Sequence, residues 1–131
     1  MTPEEAEDAI GKNIVIEEDF SDRCRYAHVD NGPEGLALMI NDGRIGRIDI
    51  WGDIRTVSGV GVGDTDESVF DTYPGRIHVE PHPYLPDRGR YLVYEPEEDT
   101  HLGLIFETDR GVVTSFRSGL AEPVRYIEGC A

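Results

Sequence analysis

Two short turns constrain this chain more than any other feature of its sequence. Asn41-Asp42-Gly43 stands between Leu36-Ala-Leu-Met-Ile40 and Arg44-Ile-Gly-Arg-Ile-Asp-Ile-Trp51. Thr108-Asp-Arg-Gly111 stands between Leu102-Gly-Leu-Ile-Phe-Glu107 and Val112-Val-Thr-Ser-Phe-Arg117. Glycine supplies the left-handed backbone that tight hairpin turns need, and β-branched or aromatic runs on both sides supply the strands. Each unit therefore predicts a β-hairpin. In the second strand of the first hairpin, Ile48 and Ile50 face one way and Arg47, Asp49 and Trp51 the other. That alternation places one face in a core and leaves the other polar, with one aromatic.

Shorter signals surround the hairpins. Ile14–Ile16, Arg76–Val79, Arg90–Tyr94 and Val124–Ile127 read as strands, and Asp30–Gly35 as a turn cluster. Thr2–Gly11 reads as a helix, with Thr2 as cap, Pro3 in the first turn and Gly11 as stop. Thr65–Tyr73 reads as a second helix. There Asp64 and Glu67 have capping-box spacing, Val69 and Tyr73 share a face, and Pro74-Gly75 ends the run. The predicted class is α+β: a mostly antiparallel sheet of hairpins with one or two short helices in a single domain. Residues 1–23 form an N-terminal extension with a short helix and strand, and residues 24–131 form the domain. No internal repeat stands out.

A length of 131 residues leaves room for one core. Twelve basic against 27 acidic residues give a net charge of −15, a field that repels phosphate backbones and anionic lipid. Nucleic acid is thus disfavoured as a partner. No apolar stretch approaches the roughly 20 residues of a membrane span. The acidic start, Met1–Ile10, has neither the basic nor the apolar region of a secretory signal. The two cysteines, Cys24 and Cys130, are too far apart for a CxxC pair and too few for a zinc site. Bridged, they would staple the two ends of the domain, and closing a loop of about 100 residues stabilises by about 4–5 kcal/mol in the chain-entropy model. Two inert buried thiols are the other reading.

Motifs with chemical meaning are sparse. Gly59-x-Gly61-x-Gly63 fails the dinucleotide fingerprint, because Asp64 stands where the third glycine belongs, and a tight turn before the helix is expected instead. His78, Glu80 and His82 form the one local set resembling metal ligands, while His28 and His101 lie far away in sequence. Asp64, Asp66 and Glu67, like the Glu95–His101 run, lack the spacing of a calcium loop. No serine sits in Gly-x-Ser-x-Gly. No cofactor is implied. The most informative stretch is Pro81-His-Pro-Tyr-Leu-Pro86, whose three prolines lower the entropy lost when it is ordered on binding. It would present His82, Tyr84 and Leu85, with Trp51 extending the surface.

Several strings occur together in order: Gly59-Val-Gly-Val-Gly-Asp-Thr65, Tyr73-Pro-Gly-Arg76, Pro81-His-Pro-Tyr84 with Tyr91-Leu92, Phe106-Glu-Thr-Asp109, Val113-Thr-Ser-Phe-Arg-Ser-Gly119 and Tyr126-Ile-Glu-Gly-Cys130. In this series, from Cys24 to Cys130, the chain resembles a group of small bacterial envelope or secreted proteins to which no activity is assigned. Gly59–Tyr73 also resembles the glycine–strand–helix unit of small lipoproteins with a β-lactamase-inhibitor-like α+β fold. The resemblance implies export and a disulfide, and carries no catalytic residues. The expectation is a non-enzymatic binding or interaction module, periplasmic or secreted with its leader outside this sequence, and with an unidentified protein or small ligand as partner. A cytoplasmic location is the alternative compartment. A small metal-assisted hydrolase using His78, Glu80 and His82 is the alternative function.

Overall fold

The computed structural model describes residues 1–17, 23–96 and 101–126. Among the described residues, eight antiparallel strands form one sheet: β1 Ile14–Ile16, β2 Cys24–Val29, β3 Leu36–Asn41, β4 Arg44–Ile50, β5 Ile77–Pro81, β6 Gly89–Tyr94, β7 Leu102–Asp109 and β8 Val112–Leu120. Three short helices accompany them: α1 Pro3–Ile10, α2 Asp66–Thr72 and α3 Ala121–Val124. None is long and apolar enough to cross a membrane. The strand order is β1-β2-β3-β4-β8-β7-β6-β5. The fold is mostly sheet, and both predicted hairpins are present.

Read along the chain, the elements repeat. One helix followed by a four-strand meander occurs twice, as α1-β1-β2-β3-β4 and α2-β5-β6-β7-β8, and the last strands of the two units pair antiparallel at the centre (Arg47 with Gly119, Ile50 with Phe116). Matching residues occupy matching places. Thr2 and Thr65 both cap a helix through their side chains, and Ala6 and Val69, four residues on, are both buried. Arg25-Tyr26-Ala27 on β2 corresponds to Arg90-Tyr91-Leu92 on β6, with Ala27 and Leu92 both in the core. The hairpin turns Asp42-Gly43 and Arg110-Gly111 share one left-handed geometry, with φ of 49° and 81° against 52° and 79°. Each is followed by a register shift one step into the strands.

One sheet face holds the main core. Leu92 pairs with Phe106 and Phe106 with Phe116, and these pack with Val60, Val69 and Val113 under α2. Ala27, Leu38 and Ile40 continue that face across the first unit. Thr65, not Asp64, caps α2: its hydroxyl accepts from the Ser68 N–H. Asp64 is occupied elsewhere, accepting from the Gly61 N–H at 3.0 Å and from Arg55 at 2.9 Å. Val69 and Tyr73 share the buried face as expected.

The opposite face departs from the expectation of an open polar surface. Val124, expected to open a strand running to Ile127, is instead the last residue of α3 and is followed by a turn at Arg125, while Ile127 lies outside the described residues. Pro123, which would interrupt a strand ladder, fits a first helical turn. This helix covers the centre of the face, packing Val124 with Tyr91 and Ile105. Arg47, expected to be solvated, is 6% exposed and donates to the carbonyls of Pro123 and Tyr126. Arg117, 2% exposed, donates to Val124 O. Two buried arginines thus satisfy carbonyl groups that a short helix leaves open at its C-terminus. Cys24 opens β2, and its expected partner Cys130 lies outside the described residues, as does most of the Glu95–His101 acidic run.

Candidate functional site

The Pro-rich loop between β5 and β6 is a compact, hydrogen-bonded turn. His82 N–H donates to Gly89 O at 3.1 Å, Leu85 N–H to His82 O at 3.3 Å, and Gly89 N–H to Leu85 O at 2.6 Å. Gly89 is required by the close approach of this loop. A Cβ there would lie 2.9 Å from the Cβ atoms of both His82 and Leu85 and 3.0 Å from Thr108 O.

His82 anchors the loop from below. It is 7% exposed, against 58% for Tyr84 two residues later. Its Nδ1 accepts the Tyr84 N–H at 3.1 Å, which leaves the ring proton on Nε2, where it donates to Glu107 Oε1 at 2.8 Å. The other Glu107 oxygen accepts from Arg117 Nη1. The Arg117 guanidinium also stacks 4.9 Å above the Tyr91 ring centroid, and Tyr91 meets the His82 ring edge-on at 5.0 Å. Burial, and then the charge of Glu107, push the Tyr91 hydroxyl pKa above its ordinary value. A buried histidine with both nitrogens hydrogen-bonded inside a carboxylate–guanidinium–tyrosine network ties the loop to the sheet.

The expected site residues therefore separate. Tyr84 is presented, His82 is withdrawn, and Leu85 is half-buried against Gly89 as part of the scaffold. Trp51 is 53% exposed but belongs to a different depression, lined by Pro33, Gly35 and Ile54, which shares no residue with the loop's own groove. The His78, Glu80 and His82 set does not converge either. His78 and Glu80 point outward from β5 with 3.5 Å between them, and Glu80 pairs with Arg125 at 3.1 Å. His82 turns inward to Glu107. Among the described residues no three His, Cys, Asp or Glu side chains gather in a metal-binding geometry. His28 is exposed on β2, and His101 is exposed just ahead of β7.

Beside the loop runs an open groove of about 760 Å³, lined by Val79, Pro81, Pro86, Arg88, Arg90 and Arg110 among others. Arg88 pairs with Asp109 at 3.2 Å and Arg90 lies 3.8 Å from Asp66. Arg110, at the hairpin tip, has no ion pair among the described residues. Its φ of +52° is one that side chains other than Gly, Asn and Asp seldom adopt.

Glu107 and Arg117 were not singled out from the sequence, though a signal for them exists. Each alternates with a core phenylalanine on its strand, Phe106 and Phe116, so both share the second face. The hairpin register places Glu107 opposite Ser115 and Arg117 opposite Ile105, making the two opposite charges diagonal neighbours. No family model, curated protein or solved structure matches the chain.

Proposed function

We propose that this α+β domain is a non-enzymatic binding module that engages a protein partner through the Pro-rich loop and the groove beside it. One observation carries the reading: Tyr84 is exposed on a loop whose other residues are held by the buried His82–Glu107–Arg117 network and by Gly89. An aromatic anchor on a rigid mount contributes contact area with little ordering cost on binding. The groove adds apolar Val79, Pro81 and Pro86, together with the uncommitted Arg110, in a chain otherwise dominated by acidic residues. The compartment we propose is the bacterial envelope or the secreted space, with Cys24 and Cys130 bridged, in line with the family resemblance.

The test is a pull-down from bacterial envelope extract at physiological salt, comparing wild type with Tyr84→Ala. A protein retained by wild type and lost by the variant, with the melting temperature unchanged, supports the reading. Equal retention by both moves the site off the loop. A lowered melting temperature without any binding defect makes Tyr84 a packing residue and overturns the proposal.

A further inference from the structure

The depression around Trp51 carries a second inference, independent of the Pro-rich loop. Trp51 follows β4 directly and its backbone N–H donates to Gly35 O at 2.8 Å, so the main chain is fixed at the sheet's end while half of the residue's surface stays in solvent. The floor is made by two glycines in contact. A Cβ on Gly35 would lie 2.3 Å from Gly52 Cα, and one on Gly52 would lie 2.4 Å from Glu34 O. That approach brings the segment before β3 flat against the segment after β4 and sets Glu34 and Asp53 around the same depression of about 530 Å³. Both carboxylates are exposed, and neither has an ion pair among the described residues. No Lys, Arg or His lines the depression.

We propose that this depression binds an organic cation, specifically the guanidinium of an arginine in a basic peptide segment. An exposed indole face attracts cations through its quadrupole, most strongly when the cation is weakly hydrated and planar. Two uncompensated carboxylates supply the acceptors that a guanidinium fork requires. The net charge of −15 raises the local concentration of cationic ligand. A neutral ligand would leave both carboxylates unmatched, and an anion would be repelled by them.

Trp51 is the chain's only tryptophan, so its fluorescence reports this site alone. The experiment titrates wild type with a tri-arginine peptide at physiological salt, beside tri-lysine and a neutral disaccharide. Saturable quenching or shift by tri-arginine is expected, several-fold tighter than with tri-lysine and absent with the sugar. Glu34→Gln/Asp53→Asn should weaken binding at least tenfold. Glu4→Gln/Asp8→Asn on α1, which removes the same charge elsewhere, should leave it within twofold. Tyr84→Ala should also leave it unchanged, which separates this site from the proposed partner surface. Absence of a saturable response, equal weakening by both charge pairs, or a response to the sugar instead would each overturn the assignment.

Discussion

A buried histidine holds the Pro-rich loop in place, and His82→Ala tests this directly. The substitution removes a hydrogen bond to an ionised carboxylate, for which mutational series give about 1.5–3 kcal/mol, and strands the Tyr84 N–H that Nδ1 accepted. Glu107 is 24% exposed, so water recovers part of its loss and the lower half of the range applies. Adding the orphaned amide gives about 2–3 kcal/mol. Unfolding entropy near 2.1 cal/mol/K per residue over 131 residues converts this to a fall in melting temperature of roughly 7–11 °C. A double-mutant cycle with Glu107→Ala isolates the pair and should return about 1–2 kcal/mol of coupling. Hydrogen exchange supplies a local readout: the Tyr84 amide, protected in wild type, should exchange much faster in His82→Ala. Additivity of the two mutations, or a melting temperature within about 2 °C of wild type, would refute the clamp.

Three further outcomes follow from the same geometry. Gly89→Ala forces a methyl group against the His82 and Leu85 Cβ atoms, which cannot swing aside as chain ends can, and should cost about 1–3 kcal/mol by urea titration; a neutral result would mean the loop can lift. Arg110→Asn relieves a left-handed residue and should raise stability by about 0.5–1 kcal/mol while weakening any partner that uses the groove, so a gain in stability with undiminished retention in the pull-down would remove Arg110 from the site. Tyr91, raised in the folded state, supports stability below its unfolded value near 10 and loses that support as pH climbs from there through the folded value, so above about pH 10 Tyr91→Phe should lose less stability than wild type. Parallel decline of the two proteins over that interval would count against it.

Much of the sheet was legible because its strands alternate and its turns are chemically explicit. The hairpin register follows from Asp42-Gly43 and Arg110-Gly111, and the phenylalanine, leucine and isoleucine positions facing the core follow from that register. What escaped lies on the second face. Arg47, Asp49, Glu107 and Arg117 look like solvated charges to a period-two reading, since alternation assigns a face without saying what covers it. The cover, α3, is four residues long and too short to show helical periodicity. His82 is illegible for a related reason. Proline spacing points to a stiff loop, but which of its side chains turns inward depends on a carboxylate 25 residues away.

The duplicated topology explains why no repeat stood out in the sequence, and it sharpens where the two halves differ. Equivalent residues are offset by 63 positions at the helix caps (Thr2 to Thr65), 65 on the inner strands (Tyr26 to Tyr91) and 68 at the hairpin turns (Gly43 to Gly111). No fixed period survives, because the strands of the two units differ in length, β1 and β3 having 3 and 6 residues where β5 and β7 have 5 and 8. The two units also differ on the second face. Where the second unit has Tyr91 and Glu107, the first has Tyr26 and Met39, with Met39 fully buried. A methionine offers only a weak, uncharged acceptor, so Met39 cannot form the ion pair that Glu107 makes with Arg117. The hairpin tips differ too: Asp42 suits a left-handed turn, and Arg110 does not. Among the described residues, only the second unit pairs a carboxylate with the tyrosine of its inner strand and carries an arginine at its left-handed tip, and the proposed partner surface is sought there for that reason. If that asymmetry is structural only, converting Met39→Glu and Glu107→Met would cost the two halves alike. If it serves recognition, both variants lose stability, but only Glu107→Met loses the partner as well, measured with each variant at matched fraction folded.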